Sequence, residues 1–65
     1  MTIQQKVDIA LRELKTICPD VKYVYGINGH NKLDIGLKTK NEKLIANTRS
    51  FMKNKHTFIG MVYMY

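Results

Sequence analysis

The sequence predicts an α+β fold, a single α-β-β-α-β domain over residues 1–65 whose three-stranded sheet, of order 2-1-3, carries two helices on one face. Three observations lead there. Apolar residues recur at helical spacing in two stretches, two extended runs flank an Asn-Gly pair, and residues 57–65 are uncharged and rich in β-forming side chains.

Ile3, Val7, Ala10, Leu11, Leu14, Ile17 and Cys18 follow one another in steps that place them on one face of a first helix. Thr2 and Gln5 have the spacing of a capping box, and Pro19-Asp20 ends the element. Val21–Ile27 and Leu33–Lys38 read as strands one and two, with Asn28-Gly29 between them as the pair that best tolerates a two-residue hairpin turn. That turn sets Val24 opposite Leu33, Tyr23 opposite Asp34 and Tyr25 opposite Lys32. Val24, Leu33, Ile35 and Leu37 then lie under the helices, and Tyr23 and Tyr25 point to the uncovered face. A turn of three or five residues reverses this.

Thr39 and Glu42 repeat the capping-box spacing, and Leu44, Ile45, Thr48, Phe51 and Met52 mark a second helix to about Asn54. Thr57–Tyr65 is strand three, apolar on both sides, reached by a crossover that makes it parallel to strand two and sets it beside strand one. With Phe58 and Val62 under the helices, the open face collects Tyr23, Tyr25, Ile59, Met61, Tyr63 and Tyr65. A monomer seldom leaves so large an apolar patch in water. The patch therefore predicts a cover, either a second copy of the chain in a homodimer or nucleic acid whose bases stack on the tyrosines.

A chain of 65 residues holds one marginal core. Cys18 is the only cysteine, so no intrachain disulfide forms, and the lone thiol suits a reducing, cytoplasmic setting. The start lacks the pattern of a signal peptide, and Thr57–Tyr65 is about half the length a membrane-spanning helix needs. Nine lysines against two arginines, with abundant Ile and Asn, is phage-like usage of the kind AT-rich genes produce.

The net charge of +6 is concentrated. Residues 1–37 carry five bases against four acids, whereas residues 38–56 carry six bases against Glu42 alone. An electrostatic partner should meet the second segment. Lys38, Lys40, Lys43, Arg49, Lys53, Lys55 and His56 accordingly form a candidate phosphate-tracking stripe along the second helix, with Lys40, Lys43, Arg49 and Lys53 on the arc opposite Leu44, Thr48 and Phe51. Arginine, the usual reader of guanine, is scarce, which favours contact with the nucleic-acid backbone over base readout.

Other motifs carry less. Gly26-Ile27-Asn28-Gly29 joins two strands, whereas a phosphate-gripping glycine loop leads into a helix. Cys18, His30 and His56 are isolated and have no metal-ligand spacing, and no serine or acidic pair is placed for catalysis. The sequence thus predicts a non-enzymatic binding protein with no cofactor, no metal, no small-molecule substrate and no membrane, probing nucleic acid with its basic helix. The alternative is a protein-interaction module, a mobile-element or phage-type inhibitor or adaptor, that docks on an acidic host protein through the same stripe or on a sheet edge through strand three.

Overall fold

A computed structural model describes residues 2–65. The elements follow the predicted order: α1 (Ile3–Ile17), β1 (Tyr23–Ile27), β2 (Leu33–Leu37), α2 (Glu42–Lys55) and β3 (Ile59–Met64). α1 begins with the predicted capping box, the Gln5 amide donating to Thr2 Oγ1 at 3.2 Å and the Thr2 amide to Gln5 Oε1 at 2.9 Å. α2 begins differently. Asn41, not Thr39, is its N-cap and accepts from the Leu44 amide at 3.2 Å, while Thr39 Oγ1 accepts from the Asn41 amide at 3.1 Å. Asn caps at least as well as Thr, so the later residue takes the position.

The sheet is mixed, and its order is β1-β2-β3 instead of the expected 2-1-3. β1 runs antiparallel to β2, and β3 runs parallel to β2, directly beside it. The parallel direction matches the expectation; the position of β3 corrects it. β2 needs cover on both faces, because Leu33, Ile35 and Leu37 are fully buried on one and Gly36 is buried on the other. The helices cover the first face, and the Tyr63 ring of β3, paired directly with Gly36, covers the second. β1, with amphipathic Tyr23 and Tyr25, tolerates an edge.

The hairpin corrects a second expectation. β1 and β2 pair as Tyr23 with Leu37, Tyr25 with Ile35 and Ile27 with Leu33, which leaves a five-residue loop, Asn28–Lys32. Asn28 organises it, its side-chain oxygen accepting from the amides of His30 at 2.8 Å and Lys32 at 3.1 Å. Asn31, at φ 59°, takes the left-handed position that Gly29 was expected to supply, and no glycine has a positive φ. The longer loop reverses the face assignment. Tyr23 and Tyr25 share the helix side with Leu33, Ile35 and Leu37, and Val24 turns to the open side. Only Tyr23 packs against the core; Tyr25, further along the edge strand, stays 52% exposed.

β3 carries an irregularity that no reading of alternation anticipates. Leu33 pairs with Ile59 but Ile35 pairs with Val62, so Gly60 and Met61 face the single residue Asp34 across a bulge. Asp34 Oδ1 accepts from the Met61 amide at 2.9 Å and from Asn28 Nδ2 at 3.1 Å, tying the bulge to the hairpin loop. The bulge changes the phase of β3. Ile59 and Val62 both enter the core, and Tyr63 turns to the open face beside Gly36. The expected grouping of Ile59 with Met61, Tyr63 and Tyr65 therefore breaks, with Ile59 only 4% exposed.

One cluster forms the core: Val7, Ala10, Leu14 and Cys18 of the first helical segment, Leu33, Ile35 and Leu37 of β2, Ile45 and Met52 of α2, and Ile59 and Val62 of β3. Both helices contribute to it, so they pack on the same side of the sheet. Phe51, expected in the buried stripe, is 40% exposed, because Ile45, Thr48 and Met52 define the inner arc of α2. Thr48 is fully buried and its hydroxyl has no hydrogen-bond partner. Leaving such a group unpaired costs about 1 to 3 kcal/mol. Thr48→Val keeps the shape and removes the orphan, so urea unfolding should show a gain of about 1 kcal/mol; a loss would mean the hydroxyl is satisfied.

Candidate functional site

The open face of the sheet and the loop that leaves it form the site. Lys22 and Lys38 extend the β1–β2 ladder by one rung, the Lys38 amide donating to the Lys22 carbonyl at 2.8 Å. Residues opposite each other on a ladder share a face, so the two lysines stand side by side on the face of Val24 and Gly36. Like charges directly opposite disfavour a sheet. β3 continues on the same rung, where the Tyr65 amide donates to the Leu37 carbonyl at 3.2 Å. Tyr65 thus sits at the basic end of the sheet, two residues beyond Tyr63.

Lys40 follows in the connection to α2, and Lys43 lies in the first turn of that helix. The peptide dipole adds partial positive charge at this end, opposed by Glu42 alone. Among the described residues, none of Lys22, Lys38, Lys40 and Lys43 takes part in a salt bridge. The carboxyl end of β2 is therefore the place where unpaired positive charge accumulates.

The structure divides the expected stripe in two. Lys38, Lys40 and Lys43 belong to the basic end just described. Arg49, Lys53, Lys55 and His56 lie towards the other end of α2, and three of them have work inside the molecule. Arg49 Nη2 donates to the Val62 carbonyl of β3 at 2.8 Å. Glu13 of α1 meets His56 Nε2 at 2.9 Å and Lys55 Nζ at 3.8 Å, and Lys55 also stands over the Phe51 ring at 5.3 Å. The half-buried Glu13–His56 contact joins α1 to the end of α2. Glu13 escapes a reading of the sequence because 43 residues separate the pair.

Of the expected apolar interface, Met61 (60% exposed), Tyr63 and Tyr65 remain accessible, while Tyr23 and Tyr25 lie on the helix side and Ile59 is in the core. Lys22 was missed, since its role depends on a hairpin register that Asn28 sets. The signal available was the two asparagines within the loop, Asn28 and Asn31.

Cys18, His30 and His56 are not brought together, and among the described residues no group of three or more His, Cys, Asp or Glu is placed to hold a metal. Burial pushes the Cys18 thiol up from its ordinary value, and its Sγ donates to the Leu14 carbonyl at 3.3 Å. Both effects favour the protonated, unreactive form. A cleft of about 220 Å³ lies beside the Glu13 cluster, lined by Lys6, Ile9, Lys55, His56, Thr57 and Phe58. No described helix is long and apolar enough to cross a membrane.

The fold and site thus define a small α+β domain with an open sheet face, basic at one end. Compared with known proteins, the chain matches no family model, no curated protein and no solved structure.

Proposed function

We propose that this chain is a non-enzymatic binding protein that holds nucleic acid by its phosphates through Lys22, Lys38, Lys40 and Lys43. The observation that carries this reading is the side-by-side placement of Lys22 and Lys38, continued by two further lysines, none of the four in a salt bridge. Such an arrangement opposes folding slightly and is offset when an anion binds. A polyanion fits better than a small one, because the charges run from β1 across β2 into the start of α2. Arg49, Lys55 and His56, engaged within the fold, supply only long-range attraction.

The test is a salt titration of a labelled oligonucleotide followed by anisotropy. With about four phosphate contacts, affinity should fall roughly 50- to 150-fold between about 50 and 200 mM salt. Absence of binding at the lower salt rejects the proposal.

A second reading is favoured by one observation, the unpaired outer edge of β3. Arg49 covers the Val62 carbonyl there, but Met61 and Met64 remain exposed along it. A second copy of the chain, giving a homodimer, or an acidic host protein adding a strand would then be the partner. Under this reading Met61→Lys ends the interaction and reversal of the four lysines does not.

A further inference from the structure

We propose that the open sheet face takes single-stranded nucleic acid, with one base stacked on Tyr63, the next on Tyr65, and the adjoining phosphates held by Lys22 and Lys38. The inference rests on the phosphate-binding reading above and adds to it the strandedness of the ligand and the groups that meet its bases.

The first support is the seat of Tyr63. A Cβ at Gly36 would lie 2.8 Å from ring atoms Cε2 and Cζ and 3.0 Å from the hydroxyl oxygen. Glycine therefore lets the ring lie against the backbone of the central strand, where a larger residue would lift it away. One side of the ring rests on the sheet, and the residue remains 36% exposed. A ring held in this way loses little freedom when a flat partner covers it. Base-on-aromatic stacking is the interaction it is shaped for, and stacking tolerates any base.

The second support is spacing. Tyr63 and Tyr65 point to the same face, separated by two residues or about 7 Å of strand. Stacked bases in a duplex rise by about 3.4 Å. Successive bases must therefore part from one another to reach the two rings, which an unpaired strand does readily and a duplex does not. Sheet shape agrees, since the major groove admits a helix or a two-stranded ribbon and not the flat face of three strands.

The third support is charge. Lys38 occupies the rung of Tyr65, and Lys22 stands beyond it on β1. The one acid on the face, Asp34, lies at the opposite end and already accepts two hydrogen bonds. A strand crossing at the Tyr65 end meets cations and rings together. The one asparagine on the face, Asn28, lies at the far end with Asp34, its side chain taken up by Asp34 and the amides of His30 and Lys32, and no amide or guanidinium stands beside the two rings to read base edges, so binding should be indifferent to sequence.

The experiment measures anisotropy at low salt with three labelled probes of equal length: a mixed-sequence single strand, its duplex, and an abasic strand that keeps the phosphodiesters. The single strand should bind about tenfold more tightly than either of the others. Tyr63→Leu should remove that advantage and leave abasic binding unchanged, whereas Tyr63→Phe should keep it. If Tyr63→Leu fails to fold, the comparison of abasic with base-bearing strand on the unaltered protein decides alone. Equal affinity for those two probes, or preference for the duplex, overturns this inference while leaving the phosphate-binding proposal standing. Failure of all three probes to bind overturns both.

Discussion

Replacing Lys22, Lys40 and Lys43 together by Glu should reduce oligonucleotide affinity at low salt at least about a hundred-fold and flatten its salt dependence by about two units of log-log slope. Each lysine lost is one phosphate contact and one set of counterions no longer released, and each glutamate adds repulsion. Three reversals of two charges each bring the net charge from +6 to zero, so a matched control is required. Lys6→Glu, Lys32→Glu and Lys53→Glu make the same change towards the opposite, amino end of β2. That variant should lose only the long-range part of the attraction, a few-fold. If the two triple variants weaken binding equally, net charge and not the site is responsible.

Stability should move the other way. Lys22→Glu by itself converts the opposed pair with Lys38 into an attractive one, worth about 0.2 to 1 kcal/mol across a sheet. A change that strengthens the fold while weakening the ligand is the mark of charge retained for binding. Urea unfolding of the single variant reads the first effect and anisotropy the second.

The second large effect concerns Gly60. Adding one methyl group there should destabilise the domain by about 2 to 3 kcal/mol, because the new carbon would meet the Asp34 carboxylate and the Asn28 side-chain nitrogen. Asp34 cannot yield freely, since the same oxygen holds the Met61 amide and Asn28 Nδ2. Against a core that supplies only about 3 to 5 kcal/mol, such a loss removes most of the stability. Gly26→Ala is the control. Nothing lies within 4 Å of a Cβ at that position, so the same methyl should be neutral or stabilise by about 0.4 to 1 kcal/mol through the unfolded chain. Urea midpoints that shift alike in both variants would show that the Asp34 clamp does not hold the bulge. The clamp bears on the proposed base-stacking face as well, because the bulge is what turns Tyr63 away from the core.

The elements and their order were legible in the sequence because they depend on local physics. Helical periodicity, a capping box at Thr2 and Gln5, and a run of β-branched and aromatic residues act over a few positions. The parallel direction of β3 also followed, since a helix between two strands leaves that arrangement natural. The uneven charge pointed to the segment from Lys38 to His56, and Lys38, Lys40 and Lys43 of that segment stand at the basic end through which phosphate binding is proposed.

Three things were decided only when the chain closed on itself. The hairpin runs to a five-residue loop in which Asn28 folds its side chain onto the His30 and Lys32 amides, and its register appears only in the pairing of Tyr23 with Leu37 and Tyr25 with Ile35. The strand order followed from burial, since β2 needs neighbours on both sides and β1 does not. The faces of β3 followed from a clamp between residues 27 positions apart, Asp34 and Met61. In a structure of period two, one extra residue on either strand exchanges inside for outside. Composition and spacing therefore determined which pieces this protein is made of, and strand pairing, with the Asn28 loop and the Asp34 clamp that fix its register, determined which side of the sheet its tyrosines and lysines face.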